Sequence, residues 1–153
     1  MKKLLNILLI LTTSLMVTGC HKYIKAEKVV SQDSVAKTYY GAYNRCDLTW
    51  ADVILYEKGS DVYCNGVLHL NSPSRAITFK NDNVDAVMKL ACSDGKLFDL
   101  DWTLEKAHFA DGEGKGVDQY NNEYNVSTIK KKEYKKNINH PAKVPSKNFL
   151  LKY

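Results

Sequence analysis

The sequence predicts a mostly β protein, a small antiparallel barrel or two-layer sandwich of about seven strands, and three observations carry that expectation. From residue 46 onward apolar residues recur with a period of two, as in strands half buried against a core. The alternating runs are short and are separated by clusters of Gly, Asn, Asp, Ser and Pro, which favour tight turns. The 153 residues include ten Tyr, two Trp and four Phe, with 44% hydrophobic and 25% charged residues. That is enough for one domain with an aromatic core and too little for a large multidomain enzyme.

The chain opens with a positive start, Met1-Lys2-Lys3, and an apolar run from Leu4 to Val17 broken by Asn6 and Thr12-Thr13-Ser14. The run is too short and too interrupted to stay in a bilayer as a spanning helix, and residues 1–19 read as a signal peptide. It ends Val17-Thr18-Gly19-Cys20, which resembles the lipobox of bacterial lipoproteins. The resemblance implies cleavage after Gly19, a diacylglyceryl thioether on Cys20, and often an amide-linked acyl chain on the new amino group. Two or more chains anchor a protein stably, at roughly 0.8 kcal/mol per buried methylene. His21, where inner-membrane retention in enteric bacteria has Asp, implies the outer membrane, with the domain on its periplasmic face.

Residues 20–45 are polar and mixed and read as an acylated tether. Within it a short helix capped by Ser31 or Asp33 would run to about Tyr40 before Gly41, with an irregular linker as the alternative. The β domain is expected over residues 46–129. Ala51–Tyr56 is its first strand, followed by a run in which Val62, Cys64, Gly66, Leu68 and Leu70 share one face, and by Ala76–Phe79. In Val84–Cys92 the even positions are apolar, and Phe98, Leu100, Trp102 and Leu104 alternate with Asp99, Asp101, Thr103 and Glu105. Asp94-Gly95 between these two runs predicts a type I′ hairpin. Lys115–Gln119 and Glu123–Ile129 complete the set, joined to their neighbours by the turns Asp111–Gly114 and Tyr120–Asn122.

With Cys20 as lipid carrier, three cysteines remain in an oxidising compartment: Cys46, Cys64 and Cys92. Cys64 and Cys92 both lie on the apolar parity of their strands, which favours a buried bond between them. Cys46, in register with Leu48 and Trp50, could instead pair with Cys64. No CxxC is present and the four His are scattered, so no metal and no cofactor is expected.

The segment from Cys64 to Tyr124 resembles small bacterial lipoproteins with the pattern Cys64-x-Gly66, Cys92-Ser93-Asp94-Gly95-Lys96, Trp102 and Gly112-x-Gly114-x-Gly116-x-Asp118. That resemblance implies a small β domain with the two cysteines paired and brings no activity. Tyr63-Cys64-Asn65-Gly66 is similar in part to the start of the membrane-bound inhibitors of C-type lysozyme, whose Ser- and Lys-bearing inhibitory loop has no counterpart here.

Asp111–Asp118 fails as a phosphate-binding loop, because Lys115 is followed by Gly116 and not by Ser or Thr opening a helix. As a calcium loop it offers Asp111, Glu113, Asp118 and Glu123 without the EF-hand order. The simpler reading is a glycine-rich turn and strand that a ring or backbone approaches closely. Asp99 and Asp101 share one face as an acid/base pair would, yet that face is also the solvent side of an amphipathic strand. A nucleophilic Cys46 with His69 or His108 lacks any local signature.

The net charge of +5 is divided unevenly. Residues 130–153 carry eight Lys against Glu133 alone, +7, which leaves 12 basic and 16 acidic groups, −4, in residues 20–129. The lysines Lys130, Lys131, Lys132, Lys135 and Lys136 suit an anionic lipid or the phosphates of lipopolysaccharide, and export argues against nucleic acid. The sequence thus leads to a lipid-anchored envelope protein with a non-catalytic binding or structural role and no enzymatic activity. The alternative is a periplasmic inhibitor or immunity lipoprotein, acting on a lysozyme or a toxin as protein partner.

Overall fold

A computed structural model describes residues 21–30, 36–45, 49–71, 83–105 and 111–138. Eight strands follow one another: β1 (His21–Lys28), β2 (Thr38–Arg45), β3 (Trp50–Glu57), β4 (Tyr63–Leu70), β5 (Val84–Cys92), β6 (Leu97–Leu104), β7 (Gly112–Asp118) and β8 (Glu123–Ile129). Each pairs antiparallel with its neighbour in sequence, and β8 pairs back onto β1 with Tyr23 opposite Ile129, so the sheet closes into an up-and-down barrel. A short helix, α1 (Lys131–Asn137), follows β8 and packs on the outside of β1 and β2.

The architecture is therefore a barrel and not a sandwich, and it has eight strands where about seven were expected. The hairpin expected at Asp94-Gly95 forms between β5 and β6, but not through a two-residue type I′ turn: Gly95 takes φ 83° while Asp94 keeps a negative φ, and the loop closes with Gly95 N–H donating to the Cys92 carbonyl at 3.0 Å and Cys92 N–H to that of Lys96 at 2.7 Å. The expected strand at Ala76–Phe79 lies outside the described residues.

The larger correction is at the N-terminal side. The segment read as a tether contributes β1 and β2, and Thr38, Tyr39 and Tyr40, expected to end a helix, are strand; Ser31–Ser34 of that helix lie outside the described residues. The reason is burial on both faces of β2. Tyr39 and Tyr43 point into the barrel, while Tyr40 and Ala42, on the outer parity, are also buried, so the run shows no polar alternation. The helix among the described residues stands instead at the start of the basic tail, where Tyr134 is buried with its ring 4.6 Å from that of Tyr23.

The lumen is solid. An eight-stranded barrel has an interior just wide enough for side chains to fill. Near one end Tyr39, Phe98 and Tyr124 meet edge to face, with centroids 5.4, 4.8 and 6.1 Å apart. Nearer the other, Tyr43 stands edge-on to Trp102 at 6.4 Å. Val53, Leu55, Leu68, Met88 and Leu100 are fully buried among them.

Strand β7 makes room for these rings by presenting glycine on its inner parity. A Cβ at Gly112 would lie 2.5 Å from Trp102 Nε1, and one at Gly116 would lie 2.5 Å from Leu100 Cα. This bears out the reading of the glycine run as a strand approached closely from inside, although it begins at Gly112, inside the expected turn. Cys64 and Cys92 are directly opposite each other on β4 and β5 and form a disulfide, with Cys64 fully buried.

Candidate functional site

Three places concentrate chemistry. The first is the barrel end formed by the turns after β3, β5 and β7, where a polar cluster caps the aromatic core. Lys96 Nζ donates to Tyr39 Oη at 2.8 Å and lies 3.5 Å from Asp94 Oδ2. Tyr39 Oη in turn donates to Glu57 Oε2 at 3.2 Å, and Glu57 pairs with Lys37 at 2.8 Å. Beside it, Asp118 accepts from the backbone N–H of Tyr120 and Asn122 at 2.9 and 3.0 Å, from Asn122 Nδ2 at 2.9 Å and from Tyr124 Oη at 3.2 Å.

Burial pushes the phenols of Tyr39, Tyr43 and Tyr124 well above their ordinary value, with Glu57, Asp111 and Asp118 respectively adding to the effect. Burial also works against the carboxylate of Asp118, but the hydrogen bonds from Asn122, Tyr120 and Tyr124 outweigh it and hold the group below the usual range. Each polar atom in this cluster satisfies another, and the cluster closes the barrel end.

The second place is the outer wall. A groove of about 690 Å³ crosses strands β3 to β7, with Asn65, Val67, Lys89, Leu97, Asp99 and Val117 among its lining residues. Leu97 is 54% exposed and Val117 39% exposed, so two large apolar side chains stand open in this groove. Lys89 and Asp99 form an ion pair of 3.3 Å across the groove. The third place is α1 and the residue before it. Lys130, Lys131, Lys132, Lys135 and Lys136 are all exposed, and among the described residues none forms an ion pair.

Asp99 and Asp101 lie on the solvent face of β6, Asp99 engaged with Lys89. The carboxylates of the glycine run diverge: Asp111 pairs with Lys22 at 3.0 Å, Glu113 is exposed, and Asp118 is buried inside. They form no calcium loop, and no three His, Cys, Asp or Glu converge among the described residues. His69 is exposed on β4, and Cys20, Cys46, His108 and His140 lie outside the described residues. Sequence reasoning missed the Tyr39–Lys96 pair and the wall groove. Tyr39-x-Gly41-x-Tyr43 was a legible period-two signal for the former, whereas the groove joins residues from five strands and leaves no local pattern.

Comparison with known proteins bears on the fold alone. No family model and no curated protein matches the chain. Among solved structures the chain is similar to a redesigned β barrel, with a TM-score of 0.52 and 9% identity over 74% of this chain and 90% of that one. That likeness agrees with the closed antiparallel barrel.

Proposed function

We propose that the protein is a lipid-anchored component of the cell envelope, held by acylated Cys20 on the periplasmic face of the outer membrane, and that its barrel binds a protein partner on the outer wall without catalysing a reaction. The observation that carries this reading is a filled lumen beside a grooved wall. Eight-stranded barrels that carry small ligands keep a cavity inside, whereas here aromatic rings occupy the interior and the open apolar surface is outside. Leu97 and Val117 supply an apolar centre and the Lys89–Asp99 pair a polar rim, the usual anatomy of a protein interface.

Site-specific photo-crosslinking in intact cells tests the reading. A photoreactive residue at position 97 or 117 should give one discrete adduct, and the same residue at Asn125, on the outer parity of β8, should give none. Equal adducts from all three positions, or none from any, would remove the wall as a binding face. A hydrolase as the adduct would select the inhibitor or immunity form of the proposal. In parallel, Cys20→Ala should abolish acyl labelling and release the chain from membranes; retention would dismiss the anchor.

A further inference from the structure

Resting on the acylation of Cys20 just proposed, we infer that the barrel stands directly on an anionic phospholipid leaflet and leans onto one corner, made by Lys130, Lys131 and Lys132. His21 is already paired with Asn44 in the barrel wall, and consecutive Cα atoms are only about 3.8 Å apart. An acylated Cys20 therefore leaves no tether between lipid and barrel, and the end of the barrel that carries His21 faces the leaflet.

The register decides what else lies at that end. Because Tyr23 opposes Ile129, the chain leaves β8 beside the start of β1, and Lys130–Lys132 follow at once. These three ammonium groups are exposed, and none has a carboxylate partner among the described residues. Helix α1 then runs away from the leaflet along β1 and β2, held by Tyr134 on Tyr23, by Glu133 against Lys25 at 3.7 Å and by Asn137 against Lys58 at 3.0 Å. Lys135 and Lys136 continue the basic surface one turn higher.

Across the same end, the described residues include carboxylates. Asp85 at the start of β5, Glu105 just after β6 and Asp111 just before β7 are exposed. Lys22 neutralises Asp111 and leaves Asp85 and Glu105 to be repelled by an anionic surface. The lysine corner is thus drawn to such a leaflet and Asp85 and Glu105, across the barrel from it, are not, which sets the lean and turns the groove over β3 to β7 toward the aqueous space.

Binding to vesicles tests this with the complete mature chain carrying Cys20→Ser, so that no acyl group contributes. At about 0.1 M salt, where the screening length is about 10 Å, it should bind phosphatidylcholine vesicles containing roughly one-third phosphatidylglycerol and should not bind pure phosphatidylcholine, since each lysine near such a surface strengthens partitioning about fivefold. Replacing Lys130, Lys131 and Lys132 together by Ser should weaken binding about a hundredfold, on the same scale. Replacing Lys28, Lys89 and Lys115 together by Ser changes the net charge equally and should weaken it less than about fivefold, because these groups stand off the leaflet by about a screening length or more.

With the acylated parent on the same vesicles, an amine-reactive label should modify Lys28, Lys89 and Lys115 and spare Lys130–Lys132. Equal loss from the two triple variants, equal labelling of the two sets, or no preference for anionic vesicles would overturn the lean. Absence of the acyl group from the parent would instead remove the anchor reading, whatever the vesicles show.

Discussion

Raising the pH above 10 should destabilise this barrel through three of its tyrosines. Tyr39 and Tyr43 are fully buried and Tyr124 is 1% exposed, and in each the folded state keeps the phenol neutral well past its ordinary pKa. A folded pKa raised above the unfolded value gives a contribution fully present below the unfolded pKa, near 10, and lost as pH climbs toward the folded one. At about pH 11 the ionised form of an unfolded phenol outweighs the neutral form by about ten to one, which favours unfolding by about 1.4 kcal/mol per site and about 4 kcal/mol for the three. Domains of this size are stable by about 5–15 kcal/mol, so the loss is a large share of the total.

Urea midpoints measured between pH 8 and 11, alongside tyrosinate absorbance near 295 nm, would show it. Stability should fall steeply above pH 10, and a fraction of the ten tyrosines should titrate only as the barrel unfolds. Tyr43→Phe should remove about one third of the alkaline loss, and this variant leaves the Tyr39–Lys96 and Tyr124–Asp118 bonds intact. Titration of every phenol in one step near pH 10 with the fold retained would refute the reasoning.

Two further outcomes follow from the core. Replacing Cys64 and Cys92 by Ala opens a loop with a sequence separation of 28, which should cost about 3–4 kcal/mol and lower Tm by roughly 10–15 °C; calorimetry showing a loss below about 1 kcal/mol would mean that barrel closure already restrains the unfolded chain. Gly116→Val drives a side chain into Leu100 and should cost about 3 kcal/mol, while Lys115→Ala, one residue away on the outer parity, should stay within about 0.5 kcal/mol in urea titrations.

Much of the wall was legible in the sequence wherever one face meets water. Strands β5 and β6 could be read residue by residue because Asp85, Lys89, Asp99 and Asp101 mark the outside as clearly as Met88 and Trp102 mark the inside. The same parity argument favoured Cys64 with Cys92, which the register places opposite each other. It failed at β2, where Tyr40 and Ala42 are buried on the outer side as well. It failed at β1 because Ile24 and Ala26 are the only buried apolar residues among lysines, a signal too thin to distinguish a strand from a polar linker. The wall groove and the basic corner were beyond reach for another reason: both are made by register between strands distant in the chain, and a single sequence states no register.

The ladder between β1 and β8 also sets an order of events. Its paired residues lie about a hundred positions apart, and such long-range closure comes late because its chain-entropy cost falls due before its contacts form. Strand β1 has no partner on one side until Glu123–Ile129 are in place, so the barrel cannot close before nearly the whole chain is available. Closure therefore acts as a timer, leaving the wall open at one seam and locking it only when the last strand arrives.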